Sequence, residues 1–73
     1  MIDSIIKVVS ETLEIQANKE TSQDNCDSWN SLQHLTIIVA LEDVLGISFE
    51  PEEIVNLKSV KEIEKIINNR KND

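Results

Sequence analysis

The sequence predicts an all-α fold, a small four-helix bundle whose third helix is short. Three observations carry that prediction. Proline and glycine each occur once in 73 residues, and no Asn-Gly or Asp-Gly pair is present to turn a hairpin. Isoleucine and valine are abundant and favour strands by propensity, yet they recur at helical spacing, and the period outweighs the propensity. Residues that cap helix ends stand where each apolar stretch begins or stops.

The first helix is expected to begin at Asp3 or Ser4, either of which can cap the free N–H groups of a first turn. Ile5, Ile6, Val9 and Leu13 then share one face. The pattern fades around Ile15, and residues 18–28 are almost wholly polar, a long loop of the mobile or functional kind. The second helix spans Ser31 to Leu45, with Asn30 as N-cap, Gln33 three residues on, and Gly46 as the stop. Its apolar side chains are Leu32, Leu35, Ile37, Ile38, Val39, Leu41, Val44 and Leu45. At the helical period they cover about two-thirds of the circumference. Gln33, Thr36, Ala40 and Asp43 fill the remaining strip. Such breadth predicts a central helix covered by others on several sides.

An extended connection follows over Ile47-Ser48-Phe49-Glu50. Pro51 suits the first position of the short third helix, and Glu52 and Glu53 complement its positive end. Ile54, Val55 and Leu57 supply its apolar residues. Ser59 caps the fourth helix, with Glu62 three residues on and Val60, Ile63, Ile66 and Ile67 as the apolar face. Asn68 to Asp73 is expected to fray.

The length fits one domain over residues 1–73, in which most apolar side chains must share one interior. Fourteen acidic residues against seven basic give a net charge of −7. A chain this acidic repels phosphate backbones. Its only aromatics, Trp29 and Phe49, cannot form a base-stacking platform. Proteins with basic patches are therefore the expected partners, not nucleic acid. Cys26 is the only cysteine, so no internal disulfide is possible, and no neighbouring Cys or His completes a zinc site. The first residues lack a basic segment followed by a long apolar one, and the longest apolar run, Ile37 to Leu41, is far too short to cross a bilayer. A soluble, cytoplasmic monomer is expected.

Enzyme chemistry finds little footing. His34 is the only histidine, three residues after Ser31 on the same helix, so any Ser-His or Cys-His pair must use it. A single glycine cannot build a phosphate-cradling loop, and Glu42-Asp43 and Glu50-Glu52-Glu53 lack calcium-loop spacing. His34 is expected at the surface, and the acids as solvated faces or a patch that meets a basic partner. The unusual feature is Trp29-Asn30-Ser31-Leu32, where a serine follows a long polar loop and opens the most apolar helix. Ser31 and Asn30 acting only as caps would give the same pattern. A hydroxyl placed there is exposed, however, and free N–H groups with the positive dipole end favour a phosphate attached to it.

Asn30-Ser31-Leu32, with Trp29 ahead of it, resembles the Asp-Ser-Leu signature of acyl carrier proteins. The resemblance runs through Ile38-Val39-Ala40-Leu41-Glu42-Asp43-Val44-Leu45-Gly46-Ile47, similar to that family's "ALEEEFGI"-type helix end, and on through Phe49-Glu50-Pro51-Glu52-Glu53-Ile54 and Leu57-Lys58-Ser59-Val60. It covers Trp29 to about Ile67, the first helix matching only in pattern. It implies an acyl-carrier-like bundle with no catalysis of its own. Ser31 matches the serine to which a separate magnesium-dependent phosphopantetheinyl transferase attaches 4′-phosphopantetheine from coenzyme A. The arm's thiol carries acyl groups as thioesters. Leu35, Ile38, Leu41, Phe49, Ile54, Val60 and Ile63 are candidates to line an acyl pocket, although an ordinary packed core would use the same residues. Asn30, Leu32, Val39, Ala40, Glu42 and Asp43 are candidates to meet partner enzymes.

Two departures qualify the resemblance. Asn30 stands where the family usually has Asp, removing one negative charge while keeping a good N-cap. Gln33, Thr36 and Val44 stand where acids are common, which weakens attraction to generic fatty-acid enzymes. Modification is expected to survive the first; the second points away from a housekeeping fatty-acid carrier and toward a specialised one, within a reading that spans fatty-acid, polyketide and specialised lipid biosynthesis. Two other readings remain: an aminoacyl or peptidyl carrier loaded by an adenylating enzyme, and an unmodified helical interaction module.

Overall fold

The structure, a computed structural model, describes residues 2–71. It contains α1 (Ile2–Leu13), α2 (Ser31–Leu45), α3 (Pro51–Ile54) and α4 (Val60–Lys71). The all-α expectation holds: the extended pairing among the described residues is an isolated antiparallel bridge between Ser22 and Ser59. No described helix is long and apolar enough to cross a membrane.

α1 buries Ile5, Val8, Val9 and Leu13 on one face. The helix begins at Ile2, so Asp3 and Ser4 lie inside its first turn and are not its caps. It ends with Glu14 in the left-handed region (φ 55°), a conformation that costs a side-chain-bearing residue, and Ile15 N–H returns to the Ser10 carbonyl.

α1 packs against both α2 and α4. Buried residues of all three, with Leu57, Phe49, Ala17 and Trp29, form one core cluster. The helix shared by its neighbours is therefore α1, and the expectation of a central α2 is corrected. Of α2's broad apolar arc only Ile37, Ile38 and Leu41 are buried, together with His34. Leu32, Leu35, Val39 and Val44 face outward. Helical spacing shows which side chains share a face but not what covers that face.

The polar stretch is tied down by local and long-range hydrogen bonds. Asn18 N–H donates to the Thr21 hydroxyl, Ser22 N–H to the Asn25 side chain, and the Asn25 amide to the Glu20 carbonyl. Gln23 N–H donates to the Lys58 carbonyl and Val60 N–H to the Thr21 carbonyl, which pins the loop to the start of α4. There Ser59 Oγ accepts the Glu62 N–H, as the cap expectation requires. α4 is helical through Lys71, so residues 68–71 of the polar tail continue the helix; Asn72 and Asp73 lie outside the described residues.

α3 has no buried residue. Pro51 occupies its first turn, and the Glu50 N–H donates to Glu53 Oε1 at 2.8 Å. Arg70 of α4 reaches the same carboxylate and lies over the Phe49 ring, 5.3 Å from its centre. The Glu50 N–H, more than any other group, holds the Glu53 carboxyl below its ordinary 4.5; partial burial opposes this, and Arg70 adds to the lowering. A depressed folded value stabilises the protein above its unfolded value and is lost as pH falls through the folded one. Thermal melts from pH 7 to pH 3 should therefore show Glu53→Gln below wild type at neutral pH, with the two converging in acid. A gap that is constant with pH would contradict this assignment.

Candidate functional site

The head of α2 is built by three consecutive residues. Trp29 is 2% exposed and anchors the incoming chain in the core, its N–H donating to the Cys26 carbonyl. Asn30 is extended (φ −93°, ψ −178°), and its side-chain oxygen accepts the Gln33 N–H at 2.9 Å. The Asn30 carbonyl accepts the His34 N–H at 2.8 Å. Ser31 is thereby the first residue of the helix, and it is exposed. Among the described residues the Ser31 and Leu32 N–H groups have no hydrogen-bond partner, and the first turn contains no acid. The positive end of α2 is open to an anion.

His34 is not at the surface as expected. It is 9% exposed, and both of its ring nitrogens are engaged. Trp29 Nε1–H donates to His34 Nδ1 at 3.0 Å, and His34 Nε2 lies 2.7 Å from the Ile54 carbonyl. An indole nitrogen only donates and a carbonyl only accepts, so these partners require the neutral imidazole with its proton on Nε2. With no free nitrogen, His34 cannot act as a base toward Ser31. No local signal marks this arrangement, because the partners lie five residues before and twenty residues after the histidine.

The other end of α2 is organised by Glu42. Its carbonyl accepts the N–H groups of Gly46 and Ile47, and its carboxylate accepts the Phe49 N–H at 2.8 Å. Gly46 is left-handed (φ 65°), the conformation that makes glycine the natural stop here. Glu42 is thus committed within the fold, whereas Asp43 is exposed.

Between these ends a shallow groove of about 550 Å³ is lined by Leu32, Leu35, Thr36, Val39, Ala40 and Asp43. It gathers four of the partner candidates, Leu32, Val39, Ala40 and Asp43; Asn30 and Glu42 lie outside its lining. Of the acyl-pocket candidates, Ile38, Leu41, Phe49, Val60 and Ile63 are buried in the core, and Ile54 is partly buried against it. Leu35 is 56% exposed and lines the outer groove, so it does not line the interior.

No family model and no curated protein sequence matches the chain. Among solved structures, it is similar to the solution NMR structure of holo acyl carrier protein from Geobacter metallireducens. The two are 27% identical with a TM-score of 0.80, over 93% of this chain and 82% of that one.

Urea denaturation tests the placement of these residues. Asn30→Ala should cost about 1 kcal/mol through loss of the cap. Leu35→Ala should cost less than about 0.5 kcal/mol, as an outward-facing side chain does, whereas Leu41→Ala should cost roughly 2–5 kcal/mol. A Leu35→Ala cost as large as that of Leu41→Ala would put Leu35 back in the core.

Proposed function

Taking as premise that this chain is acyl-carrier-protein-like in fold, we propose that it is a phosphopantetheine-dependent carrier with Ser31 as the attachment residue. One observation carries the reading: in this fold an exposed serine hydroxyl stands at the open positive end of α2. The residues present fit the group. The hydroxyl is accessible to a transferase, two N–H groups are free for phosphate oxygens, and no first-turn acid opposes the added charge. When bound, the arm supplies a thiol that carries acyl groups as thioesters.

The chain's own work is to hold and present. Asn30 fixes the first turn and Trp29 fixes the chain that leads into it, so the attachment point is rigid relative to the core. Partner enzymes meet the α2 groove, whose head at Leu32 adjoins Ser31. That groove is mostly apolar with Asp43 as its only acid, which supports a dedicated partner over attraction by charge alone. An acyl chain sheltered by the protein has to part the buried set around Ile38, Leu41, Phe49, Val60 and Ile63, against which Ile54 packs. The setting is cytoplasmic polyketide, fatty-acid or specialised lipid biosynthesis.

Co-expression with a broad-specificity phosphopantetheinyl transferase, followed by intact mass measurement, tests the assignment. Wild type should gain one phosphopantetheine and Ser31→Ala none. An unmodified wild type, or a modification that persists in the variant, overturns it. Loading of the modified form by an acyl-activating or by an adenylating amino-acid enzyme then separates acyl from aminoacyl cargo.

A further inference from the structure

The Trp29–His34–Ile54 bridge is compatible with only one charge state of the imidazole. Indole Nε1–H donates to Nδ1 and the Ile54 carbonyl receives the Nε2 proton, so both ring nitrogens are used and neither can exchange roles. An added proton goes to Nδ1. There it meets the indole N–H across 3.0 Å, donor against donor. The Ile54 contact survives that change, and the Trp29 contact does not.

Nothing charged nearby offsets such a proton. α1 and α4 turn Ile5, Val9, Val60 and Ile63 into the core, and the first turn of α2 has no acid. On α3, the carboxylate next to Ile54 is Glu53, already taken by the Glu50 N–H and Arg70, while Glu50 and Glu52 are exposed. In the loop, Asp27 is exposed and Cys26 is a partly buried free thiol. Among the described residues no carboxylate lies within salt-bridge distance of the ring.

We propose that His34 is a proton-sensitive latch on Trp29. Neutral, it fastens the chain entering α2 to the core and, through Ile54, to α3; protonated, it lets the indole go and loosens residues 29–31. The latch goes beyond the carrier reading and does not need Ser31 to be modified. It acts on the segment whose placement that reading requires, two residues before the hydroxyl. His34 is a positioning residue in this role.

Trp29 and His34 are each the only residue of their type, so their ring signals in NMR spectra are unambiguous. The unmodified full chain is titrated from pH 8 to pH 5, with far-UV circular dichroism followed in parallel. The indole N–H resonance should move with the same midpoint as the imidazole signals. Its solvent exchange, corrected for intrinsic pH dependence, should quicken about tenfold, as for one lost hydrogen bond. Helicity should be unchanged. In His34→Gln, which offers an acceptor and a donor without titrating, the indole signal should be flat with pH. Four outcomes overturn the proposal: an indole signal constant across the imidazole titration, an imidazole that stays neutral throughout, a pH profile retained in His34→Gln, or a collapse of helicity at the same midpoint. Because the readout needs no transferase, failure of the Ser31 assignment and failure of the latch are told apart.

Discussion

Apolar burial in this chain is concentrated along α1, which lies against both α2 and α4. That arrangement uses most of what so short a sequence can bury, and it leaves the polar loop of residues 18–28 and the four-residue α3 with only single partly buried apolar side chains, Cys26 and Ile54, against the core. Both are held by hydrogen bonds. The loop is stitched to Lys58 and Val60 at the start of α4, and α3 is held by His34 on one side and Arg70 on the other. Every feature near Ser31 depends on this division between a packed α1 layer and polar fastenings beyond it.

α2 stands at the boundary of the two regimes. Its inner side meets α1 through Ile37, Ile38 and Leu41, and its outer side keeps Leu32, Leu35, Val39 and Val44 in solvent. A side chain buried nowhere contributes little to folding, so these residues are available for association. The polar fastenings at each end of the helix, Asn30 and His34 at its head and Glu42 at its foot, keep that face fixed in orientation. A helix with an exposed serine at its head and an apolar face alongside suits the proposed role of presenting a carried group.

Much of this was legible in the sequence where the determinants are local. Asn30 and Gly46 mark α2 to the residue, Pro51 marks α3, and Ser59 marks α4, because caps and breakers act on the backbone within a few positions. Ser31 could be placed at a helix head for the same reason. The breadth of α2's apolar arc was misleading: it could mean a helix enclosed on several sides or one with an unpartnered face, and spacing alone cannot separate the two. His34 was misread because its burial comes from Trp29 and Ile54, brought together only by the tertiary fold. Glu42 looked like a surface acid until the turn after Gly46 delivered the Phe49 N–H to it. Local chemistry set the helix ends, and long-range closure decided which polar side chains were free.

The outward face of α2 also bears on how copies of this chain behave toward one another. Exposed leucine and valine along a helix are an invitation to pair with the same stripe on a second molecule. The charge of −7 on so small a body opposes that encounter, since like-charged molecules repel before their apolar faces can touch. The repulsion is screened within about 8 Å at physiological ionic strength and within about 3 Å in molar salt. Charge and apolar face thus pull on such an encounter in opposite directions, and ionic strength sets the balance between them.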